Sequence, residues 1–171
     1  MAFSFKVTLD LRGLEFMERS IKSDSPIMQR VYKRWALRYL AWVLIRYRKF
    51  ARGGGDWPGL AASTKAARRG RGGAISILID IGAMFAAMDP SVQASGSIRE
   101  LIKDGIRVGY GGNSSHPSSN TTIAEIAEFH HRGLGNNPVR KVVVEPDASV
   151  RRGMVDDLDR GIKELENAGP S

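Results

Sequence analysis

The chain has 171 residues, a formal net charge of +8 and no cysteine. That length suits one domain spanning residues 1–171. The missing cysteine excludes disulfides and thiolate metal sites, and a 42% hydrophobic fraction argues against global disorder. The opening residues lack the basic-then-apolar pattern of a signal peptide. The most apolar run, Trp35 to Ile45, is short and contains Arg38, so no bilayer span and no membrane partner is expected. These features predict a soluble intracellular product. The positive surplus points to an acidic partner, with DNA or RNA as the usual kind, or else serves general solubility.

In chain order, residues 2–10 alternate, placing Phe3, Phe5, Val7 and Leu9 on one face of a strand. Leu11 to Lys22 reads as a short amphipathic helix. Ser23-Asp24-Ser25-Pro26 is a helix start, with a capping side chain before a first-turn proline. No glycine or proline then interrupts the chain as far as Arg52, which predicts one helix of about 27 residues and about 40 Å. Ile27, Val31, Trp35, Tyr39 and Trp42 recur at helical steps and read as core. Arg30, Arg34 and Arg38 line a second face, read as solvated.

Residues 53–73 are rich in glycine and arginine and read as an extended loop or arm. From Arg46 to Arg71 the only acidic residue is Asp56, which makes this the electrostatic centre of the chain. Ala74 to Ala87 fits a strand or a helix. Ser91 to Ser97 and Gly105 to Tyr110 look like paired strands. Residues 111–122 form a second extended loop with the marks of mobility. Ile123 to His131 follows as a short helix or strand, Gly133 to Pro138 as a turn, and Val139 to Val144 as a β-branched strand. Asp147 to Ala168 is a last helix, with Val150, Met154, Leu158, Ile162 and Leu165 on one face. The predicted class is α+β.

Little of this composes a reactive centre. Ser63-Thr64-Lys65 has the wrong order for a phosphate-binding loop, and no Gly-x-Gly-x-x-Gly fingerprint follows a strand. Adjacent His130 and His131 diverge on either a helix or a strand. An acid–base or metal role for Glu125, Glu128 and His130 is therefore the weakest reading, and His116 sits in the second loop. Asp156, Asp157 and Asp159 alternate with Arg151, Arg152, Arg160 and Lys163, a pattern of solvated or inter-subunit helix faces. The basic region lacks the helix-turn-helix, zinc-finger and RNA-recognition patterns. Any contact with nucleic acid would be to the backbone.

Four segments taken in order carry a resemblance. They are Asp56-Trp57-Pro58-Gly59-Leu60 with Ser63-Thr64-Lys65; Ile77-Leu78-Ile79-Asp80-Ile81-Gly82-Ala83-Met84; Gly105-Ile106-Arg107-Val108-Gly109-Tyr110; and Ile126-Ala127-Glu128-Phe129-His130-His131-Arg132-Gly133 with Pro138-Val139-Arg140. Together they resemble the virion morphogenesis and tail completion proteins of tailed bacteriophages. Ile81, Met84, Ile126 and Val139 depart from the usual threonine, leucine, tyrosine and alanine.

The resemblance implies a small twisted, mainly antiparallel sheet packed by a long N-terminal and a C-terminal helix. It implies a structural role at the neck or tail top of a virion, with no reaction, cofactor or metal. The subunits would form a homo-oligomeric ring, hexameric or else dodecameric, against neighbouring neck, connector and tail tube proteins. In this frame the 53–73 stretch is a flexible arm that orders on assembly. Trp57 and Leu60 become its interface anchors, with packing inside the domain as the alternative for Trp57. Lys65 joins the subunit or partner interface, and Arg68, Arg69 and Arg71 face either an acidic rim of a partner or DNA passing through the channel. His130 and Arg140 take hydrogen-bonding or subunit-contact roles, and Gly82 and Gly133 permit tight turns. The rival reading is a sequence-independent DNA-binding protein that uses residues 46–71.

Overall fold

Ser25 and Pro26 start the longest element. In the computed structural model, which describes residues 4–6, 25–70, 72, 75–79, 82–92, 94, 96–103, 105–117 and 119–168, helix α1 runs from Pro26 to Ala51. The Ser25 hydroxyl accepts the Met28 N–H at 3.1 Å, and the fixed φ of Pro26 suits a first turn. Gly53, at φ 85°, turns the chain away after Arg52. The expected helix over Leu11 to Lys22 lies outside the described residues, as does most of the first strand beyond Ser4–Lys6.

The other described helices are α2 (Ala62–Gly70), α3 (Ala83–Met88), α4 (Ile123–Arg132) and α5 (Ala148–Ala168). The strands are β1 (Ser4–Lys6), β2 (Ser97–Ile102) and β3 (Gly105–Tyr110). They form one antiparallel sheet in the order β1-β3-β2, so the class is α+β. Central β3 buries Ile106, Val108 and Tyr110 in the same core cluster as Trp35, Tyr39 and Val43 of α1. None of the described helices is long and apolar enough to cross a membrane.

Helix α5 covers the far side of α1. Asp147 starts it by accepting the N–H groups of Ser149 and Val150 at 2.9 and 3.0 Å, and its other oxygen takes the Trp42 indole N–H at 2.9 Å. The cap is thus fastened to the neighbouring helix. Two glycines let the helices come close. A Cβ at Gly161 would lie 2.4 Å from Val31, and one at Gly153 would lie 2.6 Å from the Arg38 guanidinium.

The two charged stripes meet in this groove. Arg38 donates from Nε and Nη2 to Asp157 at 3.1 and 3.0 Å, Arg160 holds the other oxygen of Asp157, and Arg30 reaches Glu164 at 2.8 Å. Asp157 is 2% exposed. The arginine stripe is therefore not simply solvated, and Asp157 belongs to an intrachain latch rather than to a face awaiting another subunit. Asp157→Asn keeps the shape and removes the charge. It should cost about 2 kcal/mol, discounted for the half-exposed arginines, read as a lowered denaturation midpoint.

Three further expectations are corrected. The strand placed over Ser91 to Ser97 is instead Ser97–Ile102, which pairs with β3 from Ser97 opposite Tyr110 to Ile102 opposite Gly105. Val139 to Val144 joins no ladder among the described residues; it is an extended connection that buries Val142 and Val143. The 53–73 stretch is not one long loop, because Ala62–Gly70 is helical. Alanines in Ala61-Ala62 and Ala66-Ala67 favour that helix, which ends at glycine.

Candidate functional site

Two motif segments that are far apart in sequence come together around Arg140. Helix α4 begins with a reciprocal cap: the Thr122 hydroxyl accepts the Glu125 N–H at 3.2 Å, and the Glu125 carboxylate takes the Thr122 N–H at 2.8 Å. These bonds hold the Glu125 carboxyl below its ordinary pKa. The helix ends at Gly133 in a left-handed conformation, φ 69°. A Cβ there would lie 2.6 Å from Val139, so the turn needs glycine for space as well as for φ. The returning chain pairs the Arg140 N–H with the His130 carbonyl at 2.7 Å.

This placement puts the Arg140 side chain under the Trp57 loop. Its Nε donates to the Pro58 carbonyl at 3.0 Å, and its Nη2 donates to Pro58 and Gly59 at 2.9 and 3.1 Å, across 82 and 81 residues of sequence. The residue is 3% exposed. A planar fork of donors suits two adjacent carbonyls in a way an ammonium does not. Nη1 stands 3.5 Å from His130 Nδ1.

Beside this knot lies a cavity of about 600 Å³, within the usual size range of ligand sites. Leu60, Leu78, Met84 and Ile126 form its apolar wall, and Thr64, Asn136 and Asn137 add polar groups. Arg68 and Arg140 bring cationic side chains to it, and His116 and His130 also line it. Arg68 is anchored by donating to the Ser76 carbonyl at 2.8 Å. Leu78 sits in the left-handed region at φ 58°, unusual for a branched residue; the Tyr47 hydroxyl holds its carbonyl at 2.8 Å.

Of the residues singled out in the sequence, Leu60, Arg68, His130 and Arg140 meet at this cavity. Lys65 and Arg69 stand exposed on α2, and Arg71 lies outside the described residues. Trp57 does not stand out as an anchor. It is 6% exposed, edge-on to Tyr47 and Phe50 with ring centroids at 5.2 and 5.4 Å, because the Arg140 bonds to Pro58 and Gly59 pull the loop onto the core. Glu128 pairs with Arg132 at 3.3 Å, and Glu125 serves the helix cap, so the Glu125–Glu128–His130 set is not assembled around one point. Asn136 and Asn137 went unrecognised in the sequence, and Thr64 was singled out only within its motif. The Asn136-Asn137-Pro138 turn signal was visible, but nothing in it marks a cavity wall.

His130 is held down to a pKa of about 4, first by burial and then by the nearby Arg140 and Arg68 cations. Burial also lowers His131, with Lys141 and Arg132 adding to it. A histidine depressed in the folded state contributes stability that is complete above about pH 6.5 and is lost as pH falls toward about 4. Lowering the pH from 7 to 5 should therefore remove about 2 kcal/mol through His130. Urea titrations at both pH values should give a smaller loss in His130→Gln, and an equal loss would exclude His130 as its source.

No family model matches the chain, and no match is found among the curated proteins or the solved structures.

Proposed function

We propose that the chain is a structural subunit of the neck or tail top of a tailed phage, acting as a homo-oligomeric ring that completes the tail and joins it to the head connector. The single observation that carries the reading is the convergence on Arg140. Two motif segments, the one containing Pro58-Gly59 and the one containing His130 and Arg140, are bound to each other directly, and Leu78 of another lines the same cavity. Segments that recur together in a family's pattern are expected to form one folding unit, and the contact between these segments supports the reading. The ring would close by head-to-tail contacts, six-fold at the tail or twelve-fold nearer the portal. Its neighbours would be neck, connector and tail tube proteins.

An amber codon in this gene of its parent phage tests the proposal. Negative-stain microscopy of the lysate should show filled heads unjoined to loose or overlong tails. Normal infectious virions would sink the reading.

A second reading draws on α2, which buries none of its residues and exposes Lys65 and Arg69, while Lys49 and Arg52 stand exposed at the end of α1. These cations suit a duplex backbone, including DNA passing through a ring. Anisotropy with random-sequence duplex would then give micromolar affinity that falls steeply with salt.

A further inference from the structure

We propose that the groove between α1 and α5 docks an amphipathic helix of a partner protein, with aliphatic side chains on its inner face and carboxylates beside them. The inference goes beyond the neck assignment and would hold whichever assembly the chain serves.

The outer face of α1 carries an exposed apolar ridge. Leu37, Ala41 and Ile45 follow one another at four-residue steps, so they share one side of the helix. Leu37 and Ile45 are 52% and 67% exposed, whereas Val31, Leu40, Val43 and Leu44 of the same helix are buried. The ridge borders a groove of about 510 Å³ that Val150 of α5 lines from the other side. Both stretches, 34–45 and 149–157, are described throughout. The polar groups of the groove already have partners: Arg38 is bonded to Asp157, and the Trp42 indole to Asp147. Those bonds set the floor in advance, which lowers the cost of ordering on binding. What docking gains is the burial of Leu37 and Ile45.

Charge selects the occupant. Helix α1 contains no Asp or Glu. Lys33 stands exposed near one end of the ridge, and Arg48 and Lys49 near the other. None of these three forms an ion pair with a described residue. Arg48 lies over the Phe85 ring at 5.0 Å, a contact that leaves its charge in place. A second copy packed ridge to ridge about Ala41 would set Lys33 against Lys49 and Arg34 against Arg48, and a parallel arrangement would set each cation against itself. Like charges disfavour both. A helix whose apolar side is flanked by carboxylates meets the same cations favourably. A duplex offers phosphates but nothing apolar to cover Leu37 and Ile45. Faces that bind bilayers insert large apolar and aromatic side chains, whereas Trp42, the aromatic side chain of this groove, is tied down to Asp147.

The test uses the full chain, isotope-labelled at its leucine and isoleucine methyl groups and observed by NMR at constant pH and ionic strength. The probes are acetyl-EEQALAQLLAQLAQEE-amide, its counterpart with lysine in place of every glutamate, a random-sequence duplex, and vesicles of phosphatidylcholine with phosphatidylserine. The glutamate peptide should saturate shifts at Leu37 and Ile45, with an affinity about tenfold or more above that of the lysine peptide. Leu37→Gln and Ile45→Gln, both at exposed positions, should each weaken it about tenfold, and Lys49→Glu about fivefold. Val155→Gln, exposed on α5 but outside the groove lining, should leave it unchanged. Equal binding of the two peptides, or no saturable shift at Leu37 and Ile45, would overturn the proposal. Tighter binding of the duplex or the vesicles at these methyl groups would overturn it in favour of those partners. Shifts there that follow protein concentration without any probe would overturn it in favour of a second copy. None of these outcomes bears on whether the amber phage joins heads to tails, so failure here is distinct from failure of the neck reading.

Discussion

Trp57→Ala should cost about 4 kcal/mol and lower the stability of the isolated chain, a loss expected for a large buried aromatic. The indole sits in the core cluster between Tyr47 and Phe50, and Arg46 lies over the Phe50 ring at 4.2 Å. Its Nε1 is buried without a hydrogen-bond partner among the described residues. Trp57→Phe, which removes that unsatisfied donor and keeps most of the apolar area, should therefore cost only about 1 kcal/mol. Urea midpoints of the two variants decide the matter. A Trp57→Ala subunit as stable as the parent, defective only in assembly, would return the indole to the partner-anchor role expected from the sequence.

Arg140→Ala should cost about 3 kcal/mol by leaving the Pro58 and Gly59 carbonyls without their donor beneath the loop. Arg140→Lys should recover little of that loss. An ammonium cannot match the planar fork that serves two neighbouring carbonyls, and it is costlier to desolvate. Amide exchange should quicken first around Trp57 to Leu60 in both variants, since that loop depends on the fork. Protection there equal to the parent would mean that the loop is held by its aromatic packing alone.

The parts legible in the sequence are those in which one local signal suffices. Ser25-Pro26 and the stripe through Val31, Trp35 and Tyr39 mark α1 with almost its observed bounds. The apolar steps from Val150 to Leu165 do the same for α5. Gly105 to Tyr110 sets apolar Ile106, Val108 and Tyr110 at alternate positions, and as the central strand of the described sheet it buries all three. Its partner Ser97–Ile102 is an edge strand of the described sheet, only partly buried, and Arg99 and Glu100 dilute its pattern. Hence the strand was expected too early.

Val139 to Val144 has the right residue types for a strand, but strand formation needs a neighbouring edge, and tertiary placement gave that segment the Arg140 tether instead. In the 53–73 stretch, glycine and arginine outweighed a run of alanines that favours a helix. Part of the cavity was visible as Leu60, Arg68, His130 and Arg140. That they face one recess depends on contacts across more than 80 residues, such as Arg140 to Pro58. No local periodicity encodes such a contact.

The pairing of α1 with α5 has a consequence for synthesis. Val31, Trp35 and Arg38 are covered by residues that leave the ribosome more than a hundred positions later: the Trp35 indole waits for the Met154 carbonyl, and Arg38 for Asp157, each 119 residues downstream. Through most of translation α1 therefore presents its apolar stripe and its uncompensated arginines together. A nascent chain in that state is open to aggregation and to chaperone capture, and release comes only when α5 emerges. Any chain stopped before Ala148 should remain in that exposed condition, so α5 acts as the step that commits each newly made chain to its native form.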